Sequence, residues 1–210
     1  SKYFSEFLGT AFLFCTVVGS GIMGQNLSSN DSLTLLANTL ATVFALYFLI
    51  TIFGDHSSHF NPVVSMVMLV RKEISTQVCT IFIILQISGA ILGVMLANYI
   101  FELDPVLFSE KPRSGTHLFV SEILATFGLL MVILLSAKEK VAVTVAAYIG
   151  AAYWFSSSTS FANPAGTIGR SFSNTFAGIS TNDILHFCVA QIIGAFLALI
   201  VYRTFFESQK

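Results

Sequence analysis

Apolar residues are gathered along this chain into six long blocks, which short polar stretches separate. The blocks cover residues 3–23, 33–53, 77–101, 118–136, 141–158 and 183–206. A helix needs about 20 predominantly apolar residues to cross the hydrocarbon core of a bilayer. The pattern therefore predicts six membrane-spanning helices joined by short connections.

Two shorter apolar pieces, at residues 61–70 and 163–173, cannot span a bilayer, and each begins with an Asn-Pro pair. Proline fits the first helical position because the amide hydrogen that it lacks would be unpaired there. Asparagine just before it is a favourable cap. We expect two half-helices that start inside the membrane. Lipid cannot satisfy their unpaired N–H groups, which must face protein or a water-filled cavity.

Composition narrows the class of protein. The 210 residues are 55% hydrophobic and 10% charged, whereas soluble domains carry roughly 25% charged residues. We therefore expect an integral membrane protein. The net charge of −1 gives no reason to expect a nucleic-acid partner. The three cysteines lie within apolar blocks, where they are expected to pack as small hydrophobic side chains.

The two halves of the chain repeat one another, with three matching segments in the same order. The pairs are Ser5–Thr10 with Ser121–Thr126, His59–Pro62 with Phe161–Pro164, and Gln86–Ala90 with Gln191–Ala195. Each half holds three predicted spans, an odd number, so the second copy must cross in the opposite direction, as in an inverted repeat. We predict one domain over residues 1–210, with repeats at about 1–105 and 115–210.

Basic residues are unevenly shared between the two sides of the predicted bundle. With both termini on one side, that side holds Lys2, Arg71, Lys72, Lys138, Lys140, Arg203 and Lys210. The other side holds Lys111 and Arg113, and Arg170 is counted separately because it follows the second Asn-Pro pair. Connections rich in Lys and Arg stay in the cytoplasm. We therefore predict cytoplasmic termini in the cell (inner) membrane, with the N-termini of the half-helices meeting near the midplane.

Four motifs together resemble those of a known family. They are Glu6–Thr10, Gly19-Ser20-Gly21, His59–Val63 and Phe161–Ala165. In this combination the chain resembles, over nearly its whole length, the aquaporin or major intrinsic protein family of water and small-solute channels. The resemblance implies an all-α integral membrane fold, a right-handed bundle of six transmembrane helices plus two half-helices. It also implies a pore in every subunit, a homotetramer among membrane lipids, and no cofactor.

The doubled motif is expected to form the centre of the pore. Its residues are Asn61, Pro62, Val63, Asn163, Pro164 and Ala165. Two facing helix N-termini create positive potential, and the asparagine amides can donate to the oxygen of a passing molecule. Water held in this way cannot easily accept hydrogen bonds from neighbouring waters, which interrupts proton transfer along the file. The helix dipoles repel cations. The alternative is that both asparagines only cap helix ends.

Glu6 and Glu122 are the only acids deep within the predicted spans. An acid inside a membrane is by default a hypothesis of a functional site, and a proton relay is one such hypothesis. The other, which the family resemblance favours, is that each carboxylate accepts hydrogen bonds from the irregular backbone that leads to its half-helix. Ser160 belongs to the serine-rich stretch before the second Asn-Pro pair, and it is expected to line the outer half of the pore or to support it.

His56 and His59 precede the first half-helix, three residues apart. Two histidines at that spacing can ligate a metal, but no cluster of cysteines or carboxylates completes the set, so we predict no metal site. His59 is expected to lie beside the cytoplasmic part of the pore, and His56 at the surface.

The family pattern breaks at the predicted selectivity filter. Most aquaporins carry an Arg three residues after the second Asn, where this chain has Gly166. The nearest candidate, Arg170, lies about one helical turn further on the same face, and we predict that it supplies the filter charge. The alternative is an Arg that snorkels to the interface or pairs with a loop carboxylate. Family spacing puts the other filter residues at Ala151 and near Thr42, both small, which predicts a wide constriction.

The sequence thus predicts a passive channel for water and small neutral solutes, such as glycerol or undissociated metalloid acids, that excludes protons and ions. The spacing around the second Asn-Pro pair also resembles a bacterial subgroup associated with metalloid permeation. A water-selective channel with a filter rebuilt around Arg170 is the alternative. A secondary transporter is an alternative of another class, because inverted repeats with broken helices build those too. No nucleophile motif is visible, so an enzyme is not expected.

Overall fold

A computed structural model describes residues 1–207, which contain helices, turns and connections but no β-strand. Residues 208–210, with Lys210 of the predicted charge bias, lie outside the described part. The helices are α1 (Lys2–Leu27), α2 (Asp31–Phe53), α3 (Pro62–Val70), α4 (Thr76–Ile100), α5 (Thr116–Leu135), α6 (Val141–Phe155), α7 (Pro164–Arg170) and α8 (Ile184–Phe205). Short 3₁₀ turns, Lys138–Lys140 and Thr181–Asp183, precede α6 and α8. The predicted all-α membrane fold is confirmed.

Helix lengths differ from the prediction at two places. Helices α1, α2, α4, α5 and α8 are the five in the described chain that are long and apolar enough to cross a membrane. Helix α6 has 15 residues rather than the predicted span 141–158, because Ser156 is extended and the serine-rich chain after it leaves the helix. Helix α7 has seven residues and ends at Arg170 rather than at residue 173.

The two halves pack in the same way. Helix α1 packs along α2 and α4, α5 packs along α6 and α8, and α2 joins the halves through α6. The start of α1, Glu207 and the C-terminal end of α3 lie on one face of the bundle, which we call the terminal side. Residues 102–115 and 171–183 lie together on the opposite face, which we call the loop side.

Glycines set the spacing of the two tightest helix pairs. A Cβ atom added to Gly89 would meet the backbone oxygen of Phe7 at 2.5 Å, and one added to Gly194 would meet that of Ile123. These positions match in the two repeats. A larger side chain would force α1 away from α4, or α5 away from α8.

Candidate functional site

The half-helices α3 and α7 begin at the prolines of the two Asn-Pro pairs, where the preceding asparagines act as caps. Asn61 Oδ1 accepts a hydrogen bond from the N–H of Val63 at 3.2 Å. Asn163 Oδ1 accepts from the N–H groups of Ala165 at 3.0 Å and Gly166 at 3.2 Å. The caps orient both side chains, so that each amide nitrogen points away from its own helix.

The two asparagines also bind the two halves together. Asn61 Nδ2 donates to the carbonyl oxygen of Ala162 at 2.7 Å, and Asn163 Nδ2 donates to that of Phe60 at 2.8 Å. An amide nitrogen carries two hydrogens, so each side chain keeps one N–H that is free for a molecule in the space between the half-helices. Capping alone therefore does not use the full hydrogen-bonding capacity of either residue.

Glu6 holds the chain that leads to the first half-helix. Its Oε1 accepts from Ser57 Oγ at 2.5 Å and from the N–H of His59 at 2.7 Å. Its Oε2 accepts from the N–H of Phe60 at 2.8 Å and from Gln86 Nε2 at 2.7 Å. Phe60 has a φ of 50°, a conformation that a non-glycine residue keeps only when its surroundings hold it. The carboxylate supplies that restraint.

Glu122 holds the chain that leads to the second half-helix in the same way. Its oxygens accept from the N–H groups of Phe161 and Ala162, both at 2.9 Å, and from Gln191 Nε2 at 2.7 Å. Ala162 has a φ of 48°, which matches Phe60 in the first half. Neither acid lines the central cavity. This geometry favours the supporting role over a proton relay.

His59 joins the same network from the cavity wall. Its Nδ1 lies 3.0 Å from Ser65 Oγ, to which Gln86 Nε2 donates at 3.0 Å. The imidazole also packs edge-on against Phe82, with ring centroids 5.5 Å apart. The ring orientation is thus fixed from two directions. His56, in contrast, is exposed, and residues 1–207 contain no group of three or more metal-ligating His, Cys, Asp or Glu side chains.

A cavity of about 160 Å³ runs through the bundle between the half-helices. It extends along α6 from Val141 to Tyr153, a length of about 18 Å of helix. One wall is polar, and the others are apolar. The polar wall consists of Ser58, His59, Asn61, Ser160, Asn163 and Arg170, and the apolar walls include Leu13, Phe14, Val17, Leu46, Ile50, Val64, Leu129, Val145 and Ile149.

The four predicted filter residues separate into two groups. Thr42 and Arg170 line the loop-side part of the cavity, and Arg170 is 4% exposed. Ala151 is exposed on the outside of α6, so the structure does not bring it to the cavity. Gly166 is buried but does not line the cavity, because its Cα faces the ring of Phe14. The Phe14 ring fills the space that a side chain at Gly166 would take.

Tyr153 lines the cavity where Ala151 was expected. Its hydroxyl donates to Thr42 Oγ1 at 3.1 Å. The family spacing counts back from the second Asn through a segment whose path the sequence does not reveal. The sequence did contain a signal for the cavity-facing side of α6. Large apolar or aromatic residues recur there every four positions on one face, at Val141, Val145, Ile149 and Tyr153.

Ser160 contributes a further polar atom to the cavity wall. Its hydroxyl is buried and has no hydrogen-bond partner among the described residues, so it is available to a molecule in the cavity. Val63 and Ala165, which follow the two prolines, are fully buried and do not line the cavity. The arrangement can therefore bind and pass a small polar molecule, and it contains no set of groups arranged for covalent chemistry.

Comparison with known proteins agrees with this geometry. The family described as "Major intrinsic protein" matches residues 1–202. The chain is 45% identical over 203 residues to aquaglyceroporin AqpS of Rhizobium meliloti (strain 1021), covering 95% of this chain and 87% of that protein.

The fold is also similar to the crystal structure of the aquaglyceroporin from Plasmodium falciparum. The TM-score is 0.75 at 20% identity, and the match covers 99% of this chain and 97% of the other. Both matches extend along nearly all of the chain, so they include both half-helices and both repeats. The chain belongs to the major intrinsic protein family.

Proposed function

We propose that the protein passes water and small neutral polyhydroxyl solutes, such as glycerol or undissociated metalloid acids, through the central cavity. As a member of its family the chain is a passive channel for water and small solutes and not an enzyme. The finer proposal rests on one observation above all. Two asparagines with free N–H groups lie midway along a cavity that has one polar wall and several apolar walls.

The polar wall suits a hydroxylated solute. Oxygen atoms can accept from Asn61, Asn163 and Arg170, while the carbon skeleton contacts the apolar walls opposite. A site that hydrogen-bonds each hydroxyl replaces the water that the solute loses. The 45% identical relative carries the name aquaglyceroporin, which supports the same class of solute here.

The loop-side end of the cavity is proposed as the selectivity filter, formed by Thr42, Tyr153 and Arg170. Arg170 is buried and faces the cavity, which argues against a snorkelling side chain. Its charge and the positive ends of α3 and α7 would repel cations. Tyr153 replaces Ala151 in this proposal, so the filter is narrower than the sequence predicts.

We further propose a homotetramer in the cell (inner) membrane with cytoplasmic termini. Many large apolar side chains are exposed on the outside of the bundle, among them Phe12, Phe44 and Trp154. Such a surface needs lipid or neighbouring subunits. The terminal side would then face the cytoplasm, in agreement with the distribution of Lys and Arg.

Stopped-flow light scattering of proteoliposomes tests the channel and its selectivity. Sucrose should shrink the vesicles faster than empty vesicles, and glycerol should cause shrinkage followed by reswelling. Tyr153→Ala should raise glycerol permeability by roughly tenfold, the equivalent of about 1.4 kcal/mol, while Ala151→Ser serves as the matched control on the exposed face. Fast water flux without glycerol reswelling would support the water-selective alternative.

A further inference from the structure

Three cationic side chains meet on the loop side, where the cavity ends at Arg170. They donate to three consecutive carbonyl groups, at residues 176–178. Lys111 Nζ donates to the first at 2.7 Å, Arg170 Nε to the second at 2.6 Å, and Arg113 Nε to the third at 2.8 Å. We call Lys111, Arg113 and Arg170 the cationic cluster.

The three positive charges are close together. Arg113 Nη2 reaches the first carbonyl oxygen at 3.4 Å, so it shares that acceptor with the Lys111 ammonium. The guanidinium carbons of Arg113 and Arg170 lie 4.7 Å and 3.3 Å from the centroid of the Phe161 ring. The three positive charges therefore share one short carbonyl segment and one aromatic ring, and like charges repel one another where water is partly excluded.

No carboxylate pairs with these three side chains in the described part of the chain. Every ion pair found there lies on the terminal side, where Arg71 has Glu73 at 2.7 Å and Glu207 at 3.4 Å. On the loop side, Asp183 accepts the backbone N–H of Arg113 rather than its side chain. The carboxylate of Glu122 is occupied by its own supporting hydrogen bonds.

The guanidinium of Arg170 also has N–H donors without a protein acceptor in the described part of the chain. Arg170 is 4% exposed and lines the cavity, yet the only hydrogen bond of its side chain within residues 1–207 is made through Nε. A guanidinium has five N–H donors, so those on both Nη atoms have no protein acceptor there. These donors face the mouth of the cavity, and the two further cations beside them favour an acceptor that carries negative charge.

We propose that the cationic cluster binds a small tetrahedral oxyanion at the loop-side mouth of the channel. Guanidinium groups match the oxygen atoms of such anions in pairs, and the ammonium of Lys111 adds a third contact. The anion stays at the mouth, because the cavity beyond Arg170 is walled largely by apolar side chains. Bound there, it obstructs the neutral solutes of the proposed function, so the effect on flux rests on that proposal.

The charge of Lys111 supports this site and makes it dependent on pH. Burial, with repulsion from Arg113 and Arg170, lowers the pKa of Lys111 to about 8, and Asp31 opposes the shift. Burial also lowers the pKa of Arg113, to about 10, so Arg113 stays charged at neutral pH. Because the ammonium of Lys111 loses its proton as the pH rises through about 8, the anion binds more weakly above that pH.

Sulfate is the probe, because it remains a dianion throughout this pH range. Proteoliposomes of phosphatidylcholine contain the full chain, with sulfate or chloride at equal ionic strength on both sides, and water permeability is measured by stopped flow. We expect sulfate to lower permeability at pH 7 and to lose most of that effect at pH 9. Equal permeability in the two salts overturns the proposal, whereas failure of the channel itself would show as no water flux in either.

Variants assign the effect to the cluster. Lys111→Gln should raise the sulfate concentration for half-inhibition about tenfold. Arg113→Lys keeps the charge but loses the paired guanidinium donors, so it should retain only part of the inhibition. Lys138→Gln, at an exposed position on the terminal side, should match the wild type. The ratio of permeabilities with and without sulfate is compared, so changes in basal flux cancel. Inhibition that is identical in Lys111→Gln and the wild type contradicts the site. Inhibition that anionic phosphatidylglycerol mimics without sulfate assigns the same site to a lipid phosphate.

Discussion

The two repeats use the same scaffold around different side chains. In each half a buried glutamate and a glutamine on the last long helix hold the chain before the Asn-Pro pair. A hydroxyl on the half-helix, from Ser65 or Thr167, accepts from that glutamine. The parts that hold the backbone are therefore duplicated almost atom for atom.

Apart from the two asparagines and a few other matching residues, the side chains that face the cavity differ between the halves. His59 in the first half corresponds to Phe161 in the second, and both pack edge-on against a phenylalanine, Phe82 or Phe187. His59 presents a polar ring to the terminal side of the cavity, whereas Phe161 supports the guanidinium of Arg170. The repeat thus fixes where the pore lies, and the departures from it determine what each end of the pore recognises.

The two halves also differ in the side-chain sizes of one matching pair of residues. Gly9 leaves room for the ring of Phe60, and any Cβ at Gly9 would overlap that ring. The matching positions in the second half are Ala125 and Ala162, so the larger helix residue there faces a smaller loop residue. This exchange keeps both cores filled while the sequences diverge.

The largest expected effect comes from removing the duplicated acceptors. Glu6→Gln and Glu122→Gln each turn an acceptor oxygen into an N–H donor that faces backbone N–H groups. We expect each to lower the free energy of unfolding by about 3 kcal/mol. Glu6→Gln should cost more, because Glu6 accepts four hydrogen bonds and Glu122 accepts three.

Denaturation of the purified protein in detergent measures this difference. Glu110→Gln is the control, because Glu110 is exposed on the loop side. If both buried variants unfolded under the same conditions as the wild type, the carboxylates would not be restraining the chain before each half-helix. The proton-relay hypothesis would then regain support.

A smaller effect is expected where the halves match most closely, at the helix crossings. Gly89→Ala and Gly194→Ala should each destabilise by about 2 kcal/mol, because the added methyl group meets a backbone oxygen that cannot move without the helix. The two losses should be alike. Ser88→Ala, on the exposed face of α4, controls for the change in α4 composition. A loss of stability in only one of the two variants would contradict the symmetric packing of the repeats.

The smallest effect tests the difference between the halves directly. His59→Phe makes the first half resemble the second while keeping an aromatic edge against Phe82. Stability should change by only about 1 kcal/mol, the net worth of the hydrogen bond to Ser65. Water permeability should fall roughly twofold or more, because the polar wall loses an imidazole group that can bond to water.

Stopped-flow shrinkage in sucrose measures that loss, with His56→Phe as the matched exposed control. Unchanged permeability in His59→Phe would mean that the histidine serves the hydrogen-bond network of Ser65 and Gln86 alone. In that case the terminal-side half of the pore would owe its polarity to backbone and serine groups.

The sequence alone determined the membrane fold, the eight helices, the inverted repeat and the two Asn-Pro starts. These are local properties, because apolar run length, proline position and asparagine capping act within a few residues of themselves. The tertiary structure decided the cavity wall. Counting residues from Asn163 put Ala151 in the filter, but the early end of α6 at Phe155 and the path of the chain after it turned Ala151 outward and Tyr153 inward.

The same holds for the cationic residues of the loop side. The sequence places Lys111 and Arg113 together in a predicted outer loop, 57 residues before Arg170, and gives no sign that the three side chains meet. Their convergence on residues 176–178 depends on how two loops fold over the end of α7. Spacing along one helix can be read from a sequence, whereas the meeting of side chains from separate segments is set by packing, which only the folded chain contains.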